Sequence, residues 1–262
     1  MFEDPRATRR ELLGGAAVAL STGLAGCSGA LGSGARDAST PEGTDSPTGS
    51  GDGESSGDAA QFRALTGTKH GIDLAWTPAL GSSDAAVDVY YWSDYQCPFC
   101  ARFESGAYPS LVDNEVAAGT ARLVVLQYPN IGAASTDAGL LAKAVWKQVR
   151  ADAPGRFGTW HSHVFENQGE PNSGWASLEN LLELTREVEG VDASATESYL
   201  EENRADLREV LRSEKQAGMD EGVSGTPGFV LYDRSGSDRT RLMGAQPYSR
   251  FESEIEKIAG GP

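Results

Sequence analysis

The stretch Ser93-Asp94-Tyr95-Gln96-Cys97-Pro98-Phe99-Cys100 decides the fold prediction. The residues just before it, Val87–Trp92, are mostly β-branched or aromatic and predict a strand. Pro98 favours the first turn of a helix, where its missing N–H costs nothing and its φ is already helical. The sequence therefore predicts a strand, a short turn over Ser93–Gln96, and a helix that begins at the two cysteines.

This placement gives Cys97 and Cys100 different environments. We expect the Cys97 sulfur to be exposed over the positive end of the helix, which stabilises a thiolate and lowers its pKa from about 8.5. Cys100 lies one turn further into the helix and should be less exposed. Because the thiolate is the species that attacks a disulfide, we predict Cys97 as the nucleophile and Cys100 as the resolving thiol.

A single C-x-x-C pair is also compatible with half of a metal site or with chance. A closed zinc site needs four ligands, and the chain has no second cysteine pair. Cys97, Cys100, His161 and His163 form the metal alternative, although residues two apart on a helix point in different directions. We predict His161 and His163 to be packing or surface residues, and we predict no cofactor and no metal.

A second feature lies far downstream. In Val223–Tyr232, a glycine and Pro227 precede a β-branched and aromatic run, which is typical of a turn that leads into a strand. Between a buried strand predicted at Ala121–Tyr128 and this turn, the spacing of leucines and valines predicts helices. The remaining predictions are a helix capped by Ser135 or Thr136, a helix from Ser177 stopped by Gly190, a helix within Asn203–Gly218, a strand at Arg239–Met243 and a helix at Ser249–Ile258.

The first 27 residues carry two targeting patterns. Arg9-Arg10 before the short apolar stretch Leu12–Gly26 resembles a twin-arginine export signal, and the stretch is too short to span a bilayer. Leu24-Ala25-Gly26-Cys27 resembles a lipoprotein cleavage box, whose cysteine becomes the lipidated first residue of the mature chain. We therefore predict a signal peptide over residues 1–27 and a lipid anchor at Cys27 on the outer face of the cell membrane. The alternative is an unmodified thiol in a flexible tail.

Residues 28–61 are rich in Gly, Ser, Thr, Asp and Glu, which predicts a disordered acidic linker before a folded domain at 62–262. The whole chain has 38 acidic and 22 basic residues and a net charge of −16. This balance argues against nucleic-acid binding, because phosphate contacts need a clustered basic surface. Only five of the basic residues are lysine, a composition that favours a halophilic, haloarchaeal source over an ordinary acidic protein.

The features in this order resemble the DsbA-like branch of the thioredoxin superfamily over about residues 65–260. They are the strand, Cys97-Pro98-Phe99-Cys100, the helical block, and Thr226-Pro227 before a strand. Pro78–Ala85 and Trp160–Gln168 resemble further segments of this family. The resemblance implies an α/β thioredoxin fold with an inserted α-helical domain at about 134–220.

The resemblance also implies a function, that of an extracytoplasmic thiol–disulfide oxidoreductase acting on exported proteins that carry thiols or disulfides. It implies a cis Thr226–Pro227 bond packed against the sulfurs, with Thr226 tuning Cys97 and pairing with a substrate chain. The predicted catalytic set is thus Cys97, Cys100, Thr226 and Pro227, served by an electron-transfer partner that the sequence does not identify. The alternatives are a reductase or isomerase on the same fold, and a non-catalytic lipid-anchored binding protein with a structural disulfide.

Two positions depart from the family pattern. Phe99 stands where strongly oxidising members have a histidine, which predicts a less oxidising enzyme. Tyr91 stands where thioredoxins have a buried aspartate, six residues before the first cysteine. If a carboxylate assists proton transfer to Cys100, it must be Asp94 or Glu104.

Overall fold

The computed structural model describes residues 61–235 and 238–260. Its main sheet is formed by β1 (Phe62–Ala64), β4 (Pro78–Leu80), β5 (Val87–Ser93), β6 (Ala121–Gln127), β7 (Gly228–Asp233) and β8 (Arg239–Met243). The order across the sheet is β1-β4-β6-β5-β7-β8. A separate two-stranded ribbon consists of β2 (Thr68–Lys69) and β3 (Ile72–Asp73).

The described residues form eight α-helices. They are α1 (Pro98–Ser105), α2 (Ala107–Leu111), α3 (Ala133–Val149), α4 (Gly155–Glu166), α5 (Leu178–Arg186), α6 (Ala193–Glu202), α7 (Arg204–Asp220) and α8 (Tyr248–Ala259). A 3₁₀ turn at Leu74–Trp76 and a π turn at Val112–Val116 complete the regular structure. None of these helices has both the length and the apolar character needed to cross a bilayer.

The two central strands, β5 and β6, are buried along their whole length. They run parallel, from Val87 beside Ala121 to Ser93 beside Gln127, whereas β7 runs antiparallel to β5. Successive side chains of a strand point to opposite faces. On one face, Tyr91 packs against Phe103 of α1 and Phe229 of β7, and on the other face Tyr90 and Trp92 form a second core.

Helices α3 to α7 lie between β6 and β7 in the chain and run from Ala133 to Asp220. The insertion was predicted at about 134–220. A buried ion pair ties this block together, with Lys143 Nζ of α3 at 2.5 Å from Glu214 Oε1 of α7. Burial lowers the pKa of Lys143 and raises that of Glu214, and their mutual attraction opposes both shifts. Glu214 Oε2 also accepts from the Gln127 N–H at 2.8 Å, which joins the block to β6.

Two predicted helix ends are wrong. Helix α3 begins at Ala133 with Gly132 at its N-cap, so neither Ser135 nor Thr136 caps it. The Ser135 hydroxyl lies inside the first turn and accepts from the preceding Ile131 N–H instead. Helix α5 is capped by Ser177 as predicted, but it ends at Arg186, ahead of Gly190.

The other predicted elements are found within one or two residues of their expected ends, and the strand Arg239–Met243 has the predicted bounds. The short strands β1 and β4 and the ribbon were not predicted, because two or three residues are too few to show a period. The predicted signal peptide at 1–27, Cys27 and nearly all of the linker at 28–61 lie outside the described residues.

We expect Lys143→Met to lower the free energy of unfolding by about 3 kcal/mol, because it leaves the Glu214 carboxylate buried without its partner. Urea denaturation of the purified protein measures this change. Arg212→Ala is the matched control, since it removes an exposed ion pair with Glu209 on the same helix α7 and should cost less than about 0.5 kcal/mol. Equal stability of the two variants would contradict the role given to the buried pair.

Candidate active site at the Cys97–Cys100 pair

The sheet register brings two distant loops together. Strand β5 ends at Ser93, and antiparallel β7 begins at Gly228, which lies opposite Trp92. The turn that follows β5 therefore meets the loop that precedes β7. Cys97 belongs to the first segment and Thr226 to the second, and the Cys97 Sγ lies 3.2 Å from the Thr226 carbonyl oxygen.

Cys97 occupies the N-cap of α1, and Pro98 is the first residue of that helix, as predicted. Several donors converge on its sulfur: the Cys100 thiol first, then the Thr226 side chain and the backbone N–H groups of Cys100 and Phe99. Together they lower the pKa of the Cys97 thiol to about 6, against the opposing effect of burial. A substantial fraction of this sulfur is therefore thiolate at neutral pH.

Cys100 lies in the opposite environment. It is fully buried, and burial is the first cause that raises the pKa of its thiol, followed by the interaction with the Cys97 sulfur. Both cysteines are in the free thiol state. One member of the pair is thus held ready to ionise, and the other is held as a protonated thiol.

The prediction that the Cys97 sulfur is exposed is wrong, because this residue is almost fully covered. The residue retains 4% of its accessible surface, because the Thr226 loop covers the sulfur. Its neighbours Pro98 and Phe99 are exposed, and Phe99 presents 50% of its surface beneath the Arg102 guanidinium, 5.0 Å from the ring centre. The exposed surface beside Cys97 is therefore apolar at Pro98 and Phe99.

The turn that carries Cys97 is anchored by Asp94. Its carboxylate accepts from the backbone N–H groups of Gln96, Asn130 and Ile131 at 2.9, 2.7 and 3.1 Å. The turn is closed by a bond from the Cys97 N–H to the Asp94 carbonyl at 2.9 Å. Asp94 is thus a structural acid that joins the turn to the segment after β6, and its oxygens are occupied by these donors.

Two glutamines fix the same turn to the helical block. The Gln96 amide donates to the Ile131 carbonyl at 2.7 Å and to the Ser135 hydroxyl at 3.1 Å. The Gln168 amide, just beyond α4, donates to the carbonyls of Tyr95 and Cys97 at 2.6 and 3.2 Å. Sequence reasoning did not assign these roles; the one signal was that Gln168 ends the family-like stretch Trp160–Gln168.

The Thr226–Pro227 peptide bond is cis, and Pro227 is buried beside the start of β7. Thr226 is partly exposed and contacts Cys97 through its carbonyl, while its side chain lowers the pKa of the Cys97 thiol. The structure therefore brings together all four predicted catalytic residues, Cys97, Cys100, Thr226 and Pro227.

Behind the sulfurs, Tyr91, Glu104 and His161 form a buried polar cluster. The Glu104 carboxylate lies 3.1 Å from Nε2 of His161, whose Nδ1 lies 2.8 Å from the Tyr95 hydroxyl. His161 is therefore a buried histidine with both nitrogens occupied. His163 faces outward and pairs with Glu187 at 2.9 Å.

The metal alternative finds no geometric support here. Nowhere in residues 61–235 and 238–260 do three or more His, Cys, Asp or Glu side chains gather in a way that could hold a metal ion. Within these residues His161 is bonded to Glu104 and Tyr95 rather than directed at the cysteines.

A family model described as thioredoxin matches residues 75–252. The chain belongs to this thioredoxin family. Disulfide bond formation protein D of Bacillus subtilis (strain 168) is 25% identical over 186 residues, which cover 70% of this chain and 78% of that protein.

Solved structures of the family share the fold. Oxidised BdbD from Bacillus subtilis has a TM-score of 0.62 at 22% identity, over 76% of this chain and 100% of that chain. The thiol-disulfide exchange protein α-DsbA2 from Wolbachia pipientis has a TM-score of 0.54 at 19% identity, over 68% of this chain and 84% of that chain. The predicted DsbA-like thioredoxin fold with an inserted helical domain is thereby confirmed.

We expect Thr226→Val to slow alkylation of Cys97 by iodoacetamide about fivefold at pH 5, below the Cys97 pKa of about 6, where the rate follows the thiolate fraction. The variant keeps the shape of the side chain but removes its hydroxyl, and losing a hydrogen bond to a partly accessible thiolate costs about 1 kcal/mol. The rate is measured by mass spectrometry under native conditions. Ser224→Ala, an exposed change in the same loop, is the control. An unchanged rate for Thr226→Val would contradict the role of this hydroxyl.

Proposed function

We propose that the chain is an extracytoplasmic thiol–disulfide oxidoreductase that exchanges disulfides with proteins through Cys97 and Cys100. The enzyme class, predicted from the sequence, is confirmed by the likeness to proteins named for disulfide bond formation. The observation that carries the residue assignment is the contrast between the two thiols. The pKa of Cys97 is lowered to about 6 at the helix N-terminus, whereas that of the fully buried Cys100 is raised.

In the oxidative direction, a substrate thiolate attacks Cys97 Sγ of the Cys97–Cys100 disulfide. The Cys97–Cys100 bond breaks, a substrate–Cys97 bond forms, and Cys100 leaves as a thiolate that takes up a proton. A second substrate thiolate then attacks the substrate sulfur of this mixed disulfide and expels the Cys97 thiolate. The substrate gains a disulfide and the enzyme gains two electrons, which an external electron-transfer partner must remove.

In the reductive or isomerising direction, the Cys97 thiolate attacks a substrate disulfide first. Cys100 loses its proton, attacks Cys97 Sγ and releases the substrate thiolate. Phe99 donates no hydrogen bond to the Cys97 sulfur through its side chain, and this favours a weaker oxidant than members with a histidine there. The reductase or isomerase therefore stays the alternative on the same site, and the reduction potential decides between them.

The Thr226 loop suits an extended substrate segment. Ser224, Gly225 and Thr226 are exposed or partly exposed, and they lead directly into β7 beside the reactive sulfur. A chain that adds strand-like to this segment places a cysteine next to Cys97. We infer that the substrates are exported proteins in locally unfolded or flexible states, which can supply such a segment.

Cys97→Ser is expected to abolish both insulin reduction and oxidation of a model dithiol, because the nucleophile is gone. Cys100→Ser should instead accumulate a mixed disulfide between Cys97 and substrate, visible on a non-reducing gel, because the resolving thiol is missing. Cys97→Ser that retains activity would support the rival account, a binding protein whose cysteines form an inert structural disulfide.

The location and anchor have their own test. We propose export through the Arg9-Arg10 signal and lipidation at Cys27. The lipid would hold the domain on the outer face of the cell membrane, where it meets exported proteins. Mass spectrometry of the mature protein should find Cys27 as a lipid-modified N-terminus, and Cys27→Ala should release the protein from membranes. An unmodified Cys27 in membrane-purified protein would overturn the anchor and leave the catalytic proposal intact.

A further inference from the structure

Both directions of thiol exchange move a proton at Cys100. This thiol must be deprotonated before it attacks, and it must be reprotonated after it leaves. Yet Cys100 is fully buried, so water does not reach its sulfur directly. The thioredoxin-type solution, a buried aspartate on the preceding strand, is absent because Tyr91 occupies that position.

A chain of hydroxyl groups leads away from Cys100 on β5. The Ser93 side chain acts on the Cys100 sulfur and lowers the pKa of its thiol, against the larger effect of burial. It donates to the Tyr91 hydroxyl at 2.9 Å, in a fully buried contact. Behind it, burial and then the Glu104 side chain raise the pKa of the Tyr91 hydroxyl. The groups can therefore pass a proton in the order Cys100, Ser93, Tyr91 and Glu104, since each hydroxyl can accept from one neighbour and donate to the next.

Glu104 is held in place from the far side. His161 Nε2 lies 3.1 Å from Glu104 Oε1, and His161 Nδ1 lies 2.8 Å from the Tyr95 hydroxyl. A His161 ring that donates from Nε2 and accepts at Nδ1 satisfies both contacts. His161 and Tyr95 are also packed against Phe165 at ring separations of 5.0 Å, so the carboxylate has a rigid support.

Glu104 is also where this buried chain reaches water. It lines a cleft of about 410 Å³ between α1, α2 and α4, together with Tyr108, Asp113, Phe165 and Glu166. The Glu104 side chain keeps 7% of its accessible surface, against 1% for His161.

We propose that Ser93, Tyr91 and Glu104 form a proton path that connects the buried Cys100 thiol to this cleft, with His161 as the residue that positions Glu104. The inference rests on the proposed function. During resolution, the Cys100 proton moves to Ser93, the Ser93 proton to Tyr91, and the Tyr91 proton to Glu104. The Cys100 thiolate then attacks Cys97 Sγ, the Cys97–Cys100 bond forms, and the substrate leaves as a thiolate. The reverse sequence reprotonates Cys100 when it is the leaving group.

Asp94, the other acid considered from the sequence, does not fit this role. Its two carboxylate oxygens accept three backbone N–H groups at 2.7–3.1 Å, from residues on both sides of the turn. These three donors commit the Asp94 carboxylate to holding the turn in shape. Glu104 is therefore the acid that the geometry connects to Cys100.

The test resolves the reactions of Cys97 and Cys100 as two successive kinetic phases. Reduced protein is mixed with excess dithiobis-nitrobenzoate in a stopped-flow instrument. Attack by Cys97 releases one coloured thiolate in a first phase, and attack by Cys100 on the resulting mixed disulfide releases a second. The coloured thiolate leaves without needing a proton, so the second phase reports deprotonation of Cys100 and closure of the disulfide.

We expect Glu104→Gln and Tyr91→Phe each to slow the second phase by roughly tenfold to a hundredfold near neutral pH, the range typical of lost general-base assistance. The first phase should stay within about twofold, since Cys97 does not use the path. The double variant should be no slower than the slower single variant, because both changes interrupt one path. Glu166→Gln, which removes an exposed acid from the same cleft, should leave both phases unchanged.

The pH profile distinguishes a proton path from a structural defect. The titratable groups around Glu104 are Tyr91 on β5, Tyr95, Tyr108 on α2 and His161 on α4, and Asp113 and Glu166 line the same cleft. In both variants the second phase should recover toward the wild-type rate as pH rises, because hydroxide that enters during local opening of the site then takes the Cys100 proton. A misfolded site would remain slow at every pH.

Tyr91→Phe keeps the buried ring and its contacts with Phe103 and Phe229, so it tests the path even where Glu104→Gln fails to fold. A wild-type second phase in a folded Tyr91→Phe variant, or a slow second phase that does not recover with pH, would overturn the proton path. Loss of the first phase in the wild-type protein would instead overturn the proposed function, with Cys97 as nucleophile.

Discussion

The antiparallel pairing of β5 with β7 is the constraint on which the site depends. Trp92 lies opposite Gly228, so the turn that leaves β5 meets the loop that enters β7. That meeting places the Cys97 sulfur 3.2 Å from the Thr226 carbonyl oxygen and beside the Thr226 side chain, which helps to lower the pKa of the Cys97 thiol. A slip of two residues would preserve which side chains face the core but would move the loop by about 7 Å along the strand. The thiolate would then lose a donor, and the proposed substrate segment would lose its place beside the sulfur.

The proposed chemistry depends on the different environments of the two thiols, which shift their pKa values in opposite directions. Cys97, at the N-cap of α1, interacts with the Cys100 thiol, the Thr226 side chain and backbone N–H groups, and together they lower its pKa to about 6. Cys100, one turn later, lies fully inside the core, and its pKa rises. Burial protects the second thiol from unwanted oxidation, but it also requires a route for a proton. The polar residues behind α1 are placed where such a route is needed.

Local features of this site could be predicted from the sequence. Val87–Trp92 has the composition of a buried strand, and Pro98 after a cysteine indicates the start of a helix, so the position of Cys97 at an N-cap followed directly. The cis bond at Thr226–Pro227 came from the family resemblance and is present in the structure. The signal peptide, the lipid anchor and the linker lie outside the described residues and stay predictions.

Contacts between distant residues could not be predicted in this way. Gln168 binds the Cys97 carbonyl across 71 positions of the chain, and His161 binds Glu104 across 57. Neither pair has a local pattern, because the distance between its members is set by how α4 docks against α1. The burial of Cys97 could not be predicted either, because the Thr226 loop that covers it lies 129 residues away in the chain.

The central claim is that the two thiols of the reduced protein ionise very differently. An NMR titration of the Cβ resonances of Cys97 and Cys100 measures this directly, one residue at a time. The account predicts that Cys97 titrates near pH 6, while Cys100 stays protonated throughout the neutral range. A Cys97 midpoint near the unperturbed value of about 8.5, or ionisation of Cys100 before Cys97, would contradict it.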